Sequence, residues 1–410
     1  MDFGFTAEQK KLREKIHEFF MTELPEDYEP GTENMGEEVQ AFFLALKDKA
    51  VQRGFYVPGW PKEYGGSGFS EIDQGILDEE MGYAGVVWPD FLGLHLVGPT
   101  LMMIGTDEQK RRFIPPIARG ETICFEAFTE PEAGSDEANV QLKAVDDGNS
   151  FVLSGQKVFI SGFFKPNWLF TLARTAQTVP KHRGLSLFLI PADLPGITFR
   201  PLPTMGGGRQ NEVYFDEVRV SKEYLLGQLN RGFYHAMQVF EFERRMTGAA
   251  PRGRRQLEEL VDFCKKTLYD GEPLMADPQI RDNLARLAVA CELQRLAGWY
   301  STWLFAERGK AALMPAYDLS NYYAKKWAAP QAQTMADTVG LYAQLGVASK
   351  YAPLAGRLDR MWKFTRSMHA GGTFEVIKIV LAQRGLGLPR IPAPIMKEIG
   401  EAIKKDGKAA

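Results

Sequence analysis

Two stretches concentrate the residue types that could hold and act on a small molecule: Phe125 to Asp136, FEAFTEPEAGSD, and Gly155 to Thr175, GQKVFISGFFKPNWLFTLART. Hydroxyl side chains (Thr129, Ser135, Ser161), backbone-permissive glycines and flat aromatics crowd together there. That composition suits a flat ligand with polar edges, such as a flavin. Hydroxyls in such loops more commonly cap turns, so the reading depends on the rest of the chain. Candidate acid–base groups are scattered: Asp90 and His95 border an apolar passage, His369 and Glu375 stand near the C-terminal end, and the run FEFERR holds Glu241 and Glu243. Charged runs of that kind ordinarily form solvated, salt-bridged helix faces. Glu375 has a helical ion-pair partner in Lys378. Cys124, Cys264 and Cys291 lack CxxC spacing, which argues against a metal site or a disulfide framework and fits a reducing compartment.

The elements that must position these residues change type along the chain. Thr6 with Gln9 three residues later makes a capping box, and Leu12, Ile16, Phe19 and Phe20 follow at helical spacing. Further helices are expected over Glu38–Arg53, after the cap Ser70, and after the cap Thr106, where acids precede bases as the helix dipole favours. Near Glu121 the pattern turns to alternation: FVLSGQKVFIS, WLFTLART, GLSLFLIP, GITFRPL and NEVYFDEVRV read as strands. Long helices are expected again over 232–250, 254–269, 280–307 and 318–345, with a last one starting near Thr373. In the third of these, Leu284, Leu287, Cys291, Leu293 and Leu296 form the expected core stripe. The glycines of Met205 to Arg209 open no helix within a βαβ unit, so they mark a loop rather than a phosphate site. Helices, then strands, then helices define an α+β chain. The expected parts are an all-α domain (1–121), a β domain (122–232), a helical bundle (233–395) and a tail (396–410).

A chain of 410 residues is long enough for two or three cores. Its 49 basic and 52 acidic residues leave a net charge of −3, which gives no reason to expect nucleic acid or an acidic membrane as partner. No run of about 18 apolar residues occurs and the N-terminus lacks a basic region followed by an apolar core. A cytoplasmic address is the expectation.

From near its first residue to about Arg390 the sequence resembles the acyl-CoA dehydrogenase flavoproteins. The resemblance is carried by FTEPEAGSD, GQKVFIS with WLFTLART, KHRGLSLFLIP, NEVYFDEVRV, AMQVFEFERR and GGTFEVIKIVLAQRGLGLPR, in that order. It implies an N-terminal helical domain, a middle β-barrel-like domain and a C-terminal four-helix bundle. FAD would lie between the last two, completed by a neighbouring subunit of a homotetramer or homodimer. Phe128 and Thr129 would line the flavin's pyrimidine edge, Ser161 would donate near N5, and Phe159 would cover the ring. Ser135 would face the CoA arm or the cofactor phosphates, Thr373 and Glu375 would meet the dinucleotide, and Gln344 would reach FAD across a subunit boundary. The implied partners are an acyl-CoA and an electron-transfer flavoprotein.

Such chemistry needs one base to take the proton next to the thioester carbonyl while hydride leaves the β-carbon. Many members place a Glu immediately before Gly-Thr in the last domain; here HAGGTFEV puts Gly371 in that slot. Other members supply the carboxylate from an earlier helix, before an Arg, and Glu243 followed by Arg244 occupies the matching place. Glu243 is therefore the expected base, with Glu241 its competitor two positions away and Arg244 fixing the helix or touching the CoA portion. The Arg that many relatives use on the FAD pyrophosphate is missing from CKKTLYDGEPL, where Lys265 or Lys266 would substitute. The changed slots leave two alternatives: a non-catalytic or half-catalytic subunit of a hetero-oligomer, or a flavin-dependent oxidase or lyase such as a desulfinase.

Overall fold

The computed structural model describes residues 4–25, 28, 36–178, 180–246, 252–309 and 313–390. Five α-helices come first: α1 (Ala7–Glu23), α2 (Glu37–Arg53), α3 (Glu71–Ala84), α4 (Gly98–Ile104) and α5 (Asp107–Ala118). Their starts are set locally. Thr6, Ser70 and Thr106 each accept a backbone N–H three residues on, and the residue at that position answers through its own side chain. Each cap of this kind contributes about 1 kcal/mol. A π-helical turn, Gly93–Val97, precedes α4, a local widening found disproportionately at functional sites.

Eight strands follow: β1 (Cys124–Ala127), β2 (Lys143–Asp146), β3 (Ser150–Ser161), β4 (Trp168–Arg174), β5 (Leu185–Pro191), β6 (Ile197–Pro203), β7 (Arg209–Ser221) and β8 (Leu225–Leu226). They form one sheet in the order β6-β7-β3-β2-β4-β5-β8, with β1 parallel to β4. The glycines after Met205 make the turn between β6 and β7, where the Gly207 N–H donates to Thr204 O. The last part is helical: α6 (Gly232–Met246), α7 (Arg252–Lys266), α8 (Pro278–Arg308), α9 (Leu313–Val339), α10 (Arg357–Phe364) and α11 (Phe374–Val380). The expected extension of α6 to residue 250 falls outside the described residues.

One expected stripe is corrected. On α8, Leu284, Leu287 and Cys291 are buried, but Leu293 and Leu296 are exposed, and the buried side continues through Gln294, Gly298 and Ser301. Those residues are three, four and seven positions apart, so they keep the helical period that Leu293 breaks.

Burial ties the three parts together. One apolar cluster runs from Phe20 and Leu101 through Phe128, Phe170 and Leu187 to Ala236 and Trp299. A second lies on the other face of the sheet, around Phe151, Phe188 and Val213, and a third joins α7, α8, α9 and α10. No helix among the described residues is long and apolar enough to cross a membrane.

Candidate functional site

The two sequence stretches singled out for their composition meet in space. The Val158 N–H donates to Thr129 O at 3.0 Å, which lays the chain just after β1 beside the far half of β3. There the pairing of β3 with β7 slips between Lys157 and Ile160. At that bulge Phe159 adopts φ +60° and stands 55% exposed. A non-glycine residue in that region is uncommon and costs of order 1 kcal/mol or more. Holding a large aromatic ring out in water by this means marks a surface built to be covered. Ser161 is exposed two residues on, and Thr129 is half-buried beside them.

Beneath this surface lies a polar knot that the sequence reading missed. Lys157 is wholly buried, and its ammonium donates to Phe128 O (2.9 Å), Leu172 O (2.7 Å) and Glu130 Oε1 (2.9 Å). Three donors thus meet three acceptors, which is the ammonium's full capacity. The Glu130 carboxylate also accepts the backbone N–H groups of Gln141 (2.6 Å) and Leu142 (2.8 Å). Burial pulls the lysine down to about 8, opposed by Glu130 and then Glu137. The sequence carried one signal for it: Lys157 falls an even number of positions after Phe151 and Leu153, the buried side of β3.

Ser135 is exposed on the loop between Glu130 and Val140. That loop is fastened by an ion pair between Asp136 and Lys181 and by Arg174, which donates to Ala138 O (2.7 Å), Val140 O (2.8 Å) and Lys181 O (2.9 Å).

Helix α6 packs against the π-helical turn, β4, β5 and α9. Its Phe240 ring meets the Phe128 ring edge-on, centroids 6.0 Å apart. Position 243 falls one helical turn past Phe240 on the same backbone helix, whereas position 241 is rotated by about 100°. The side chains of Glu241, Glu243 and Arg244 lie outside the described residues. Asp90 joins the same region from the other side: it is buried, and its Oδ1 accepts the N–H groups of Gly93 (3.0 Å) and Cys124 (2.7 Å). Complete burial raises its carboxyl well above the usual range. His95 lies against the Phe91 ring at 5.0 Å.

The remaining candidates cluster in the last helices. Gly371 and Gly372 take φ +63° and +93°, and the carbonyls of Ala370 (2.5 Å), Gly371 (3.2 Å) and Gly372 (2.7 Å) all accept from Lys325 of α9. Thr373 caps α11, its Oγ1 accepting the Val376 N–H at 3.2 Å. Glu375 is exposed in that helix's first turn, and Lys378 places its ammonium 6.0 Å from the Tyr322 ring. Gln344 is exposed in a 3₁₀ turn after α9. His369 is exposed, its ring facing Arg366 O. Lys266 pairs with Asp262 within α7.

The exposed Ser161 and half-buried Thr129 beside the exposed Phe159 ring suit the polar rim and flat face of a flavin. The chain has three parts in helix–sheet–helix order. Comparison with known proteins gives its family. Residues 6–121, 125–218 and 230–386 match, in turn, the acyl-CoA dehydrogenase N-terminal, middle and C-terminal domains. The acyl-CoA dehydrogenase FadE26 of Mycobacterium tuberculosis is 31% identical over 95% of this chain and 99% of its own. Among solved structures, a Tcur3481–Tcur3483 steroid ACAD superposes with a TM-score of 0.86, and the ChsE4–ChsE5 complex from M. tuberculosis with 0.84. Both are 30% identical and cover 95% of this chain and 100% of their own. The chain belongs to the acyl-CoA dehydrogenase family, whose members are FAD-dependent oxidoreductases acting on the CH–CH group of acyl-CoA thioesters.

Proposed function

We propose that the protein forms the 2,3-enoyl thioester of a bulky, ring-containing acyl-CoA, steroid-derived or alicyclic, with Glu243 as the base. The observation that carries this reading is the contact of Phe240 on α6 with Phe128 at the flavin seat, because it brings the helix bearing position 243 against that seat while Gly371 leaves the other base position without a proton acceptor. FAD, when bound, supplies the hydride acceptor. The chain's own work is to orient and to move one proton. Thr129 and Ser161 hold the cofactor's polar edge, Phe159 covers its ring, and Thr373 and Glu375 meet the dinucleotide, with Gln344 reaching it from a neighbouring subunit. Ser135 and Arg244 face the CoA portion. Once substrate excludes water, the Glu243 carboxylate gains affinity for a proton, matching it to a weakly acidic carbon. Electrons leave to an electron-transfer flavoprotein.

The substrate class is supported by the structural relative described as a steroid ACAD. Anaerobic titration of the purified flavoprotein with a panel of CoA thioesters tests it. Ring-bearing thioesters should bleach the flavin and butyryl- or octanoyl-CoA should not; bleaching by the straight chains alone would refute it.

For assembly, both structural relatives are complexes or pairs of differently named chains, which supports the hetero-oligomeric alternative. Leu341 and Tyr342, 82% and 63% exposed, and the row Val289, Leu293, Leu296 and Tyr300 at helical spacing on α8 are apolar residues that a partner chain would cover.

A further inference from the structure

We propose that Lys157 sets the reduction potential of the bound flavin, acting through the peptide group between Phe128 and Thr129. The inference rests on the reading that this peptide lies at the flavin's pyrimidine edge. Lys157 touches no surface, so a direct role with substrate or cofactor is excluded. Its position is nonetheless costly: an apolar side chain would fill the same interior without the desolvation of two charges. What the charge achieves is read from its acceptors. The ammonium sits 2.9 Å from Phe128 O, and peptide planarity makes the Thr129 N–H antiparallel to that carbonyl. Charge on one end of the peptide therefore strengthens the donor at the other, which is turned away from the lysine. A stronger donor favours whichever ligand state carries more negative charge on its oxygens and nitrogens. For a flavin that is the reduced state.

The partner groups give the effect a sign. Glu130 lies 2.9 Å from the same ammonium and offsets part of its charge. It also accepts from Gln141 and Leu142, so it ties down backbone other than the Phe128–Thr129 peptide. Removing the lysine's charge and removing the glutamate's charge must consequently move the flavin in opposite directions. A purely structural knot would not behave so, since damage to either half would loosen the seat in the same sense.

The test uses the full-length chain loaded with FAD, and no substrate. Midpoint potentials are measured by dye equilibration and FAD dissociation constants by titration of apoprotein, for wild type, Lys157→Met, Glu130→Gln and the double variant. Lys157→Met is expected to weaken binding of reduced FAD about tenfold relative to oxidised FAD, lowering the two-electron potential by about 30 mV. Glu130→Gln is expected to raise it, and the double variant to fall between Lys157→Met and wild type. If Lys157→Met does not yield folded holoprotein, the sign in Glu130→Gln decides. Potentials that move the same way in both single variants, or that do not move while FAD stays bound, would overturn the assignment. A wild-type chain that takes up no FAD would instead refute the flavin reading itself.

Discussion

At the scale of single residues, Lys157 shows how a charge acquires a consequence by burial. Its proton affinity falls from the ordinary 10.5 to about 8 because desolvation outweighs the attraction of Glu130 and Glu137. Between those values the unfolded chain holds more protons than the folded one, so this group's contribution to stability rises with pH across that window and its cost is fully present below about 8. Thermal midpoints of wild type and Lys157→Met at pH 7 and pH 9.5 check the sign: wild type should gain on the variant at the higher pH, and a loss would contradict the account. Residues that act through neighbours in sequence were legible without coordinates. Thr6, Ser70 and Thr106 announced their helices because a cap and the N–H it accepts lie within four positions. The Lys157–Glu130 pair was not legible, because its partners are 27 residues apart and only the chain after β1 lying along β3, with the Val158 N–H on Thr129 O, brings them together.

At the scale of elements, α9 links the two places from which a base could come. It packs against α6, which carries Glu243, and against α11, and its Lys325 gathers the three carbonyls of residues 370–372. Charge-assisted bonds of this kind contribute about 1.5–3 kcal/mol each when a partner is lost. Lys325→Met should therefore release the loop that precedes Thr373 and speed amide exchange at Val376 and Ile377, whose N–H groups end on Thr373, by about 30-fold for a local loss of about 2 kcal/mol. Unchanged exchange there would show that the loop is held by other contacts. The motif GGTFEV gave the helix start and the missing glutamate, yet it said nothing of Lys325, which belongs to a helix more than forty residues earlier. The α8 stripe failed for a related reason: Leu293 and Leu296 are hydrophobic by type, but the helix turns Gln294 and Ser301 inward instead.

Considered as a whole, the molecule places Phe128 in one apolar cluster that spans all three parts, so the proposed flavin seat rests on the common core. The three-part order was readable because periodicity changes from 3.6 to 2 and back, whereas assembly was not, since a single chain's exposed apolar residues do not name what covers them. If a second, related chain covers Leu341 and Tyr342, co-expression with that paralogue should yield one complex of both chains by native mass measurement, and Tyr342→Asp should dissolve it. A stable homotetramer of this chain alone, yellow and active, would favour the homo-oligomeric assembly instead.

In the proposed reaction the substrate proton is taken by a base on α6 and not by the loop at Gly371. Stopped-flow bleaching of the holoprotein by its preferred acyl-CoA, compared between wild type and Glu243→Gln at equal FAD content, tests it most directly. A positioned general base contributes about 10²–10⁴-fold, so Glu243→Gln is expected to slow bleaching by that factor with FAD affinity retained. Bleaching at the wild-type rate in Glu243→Gln would contradict it.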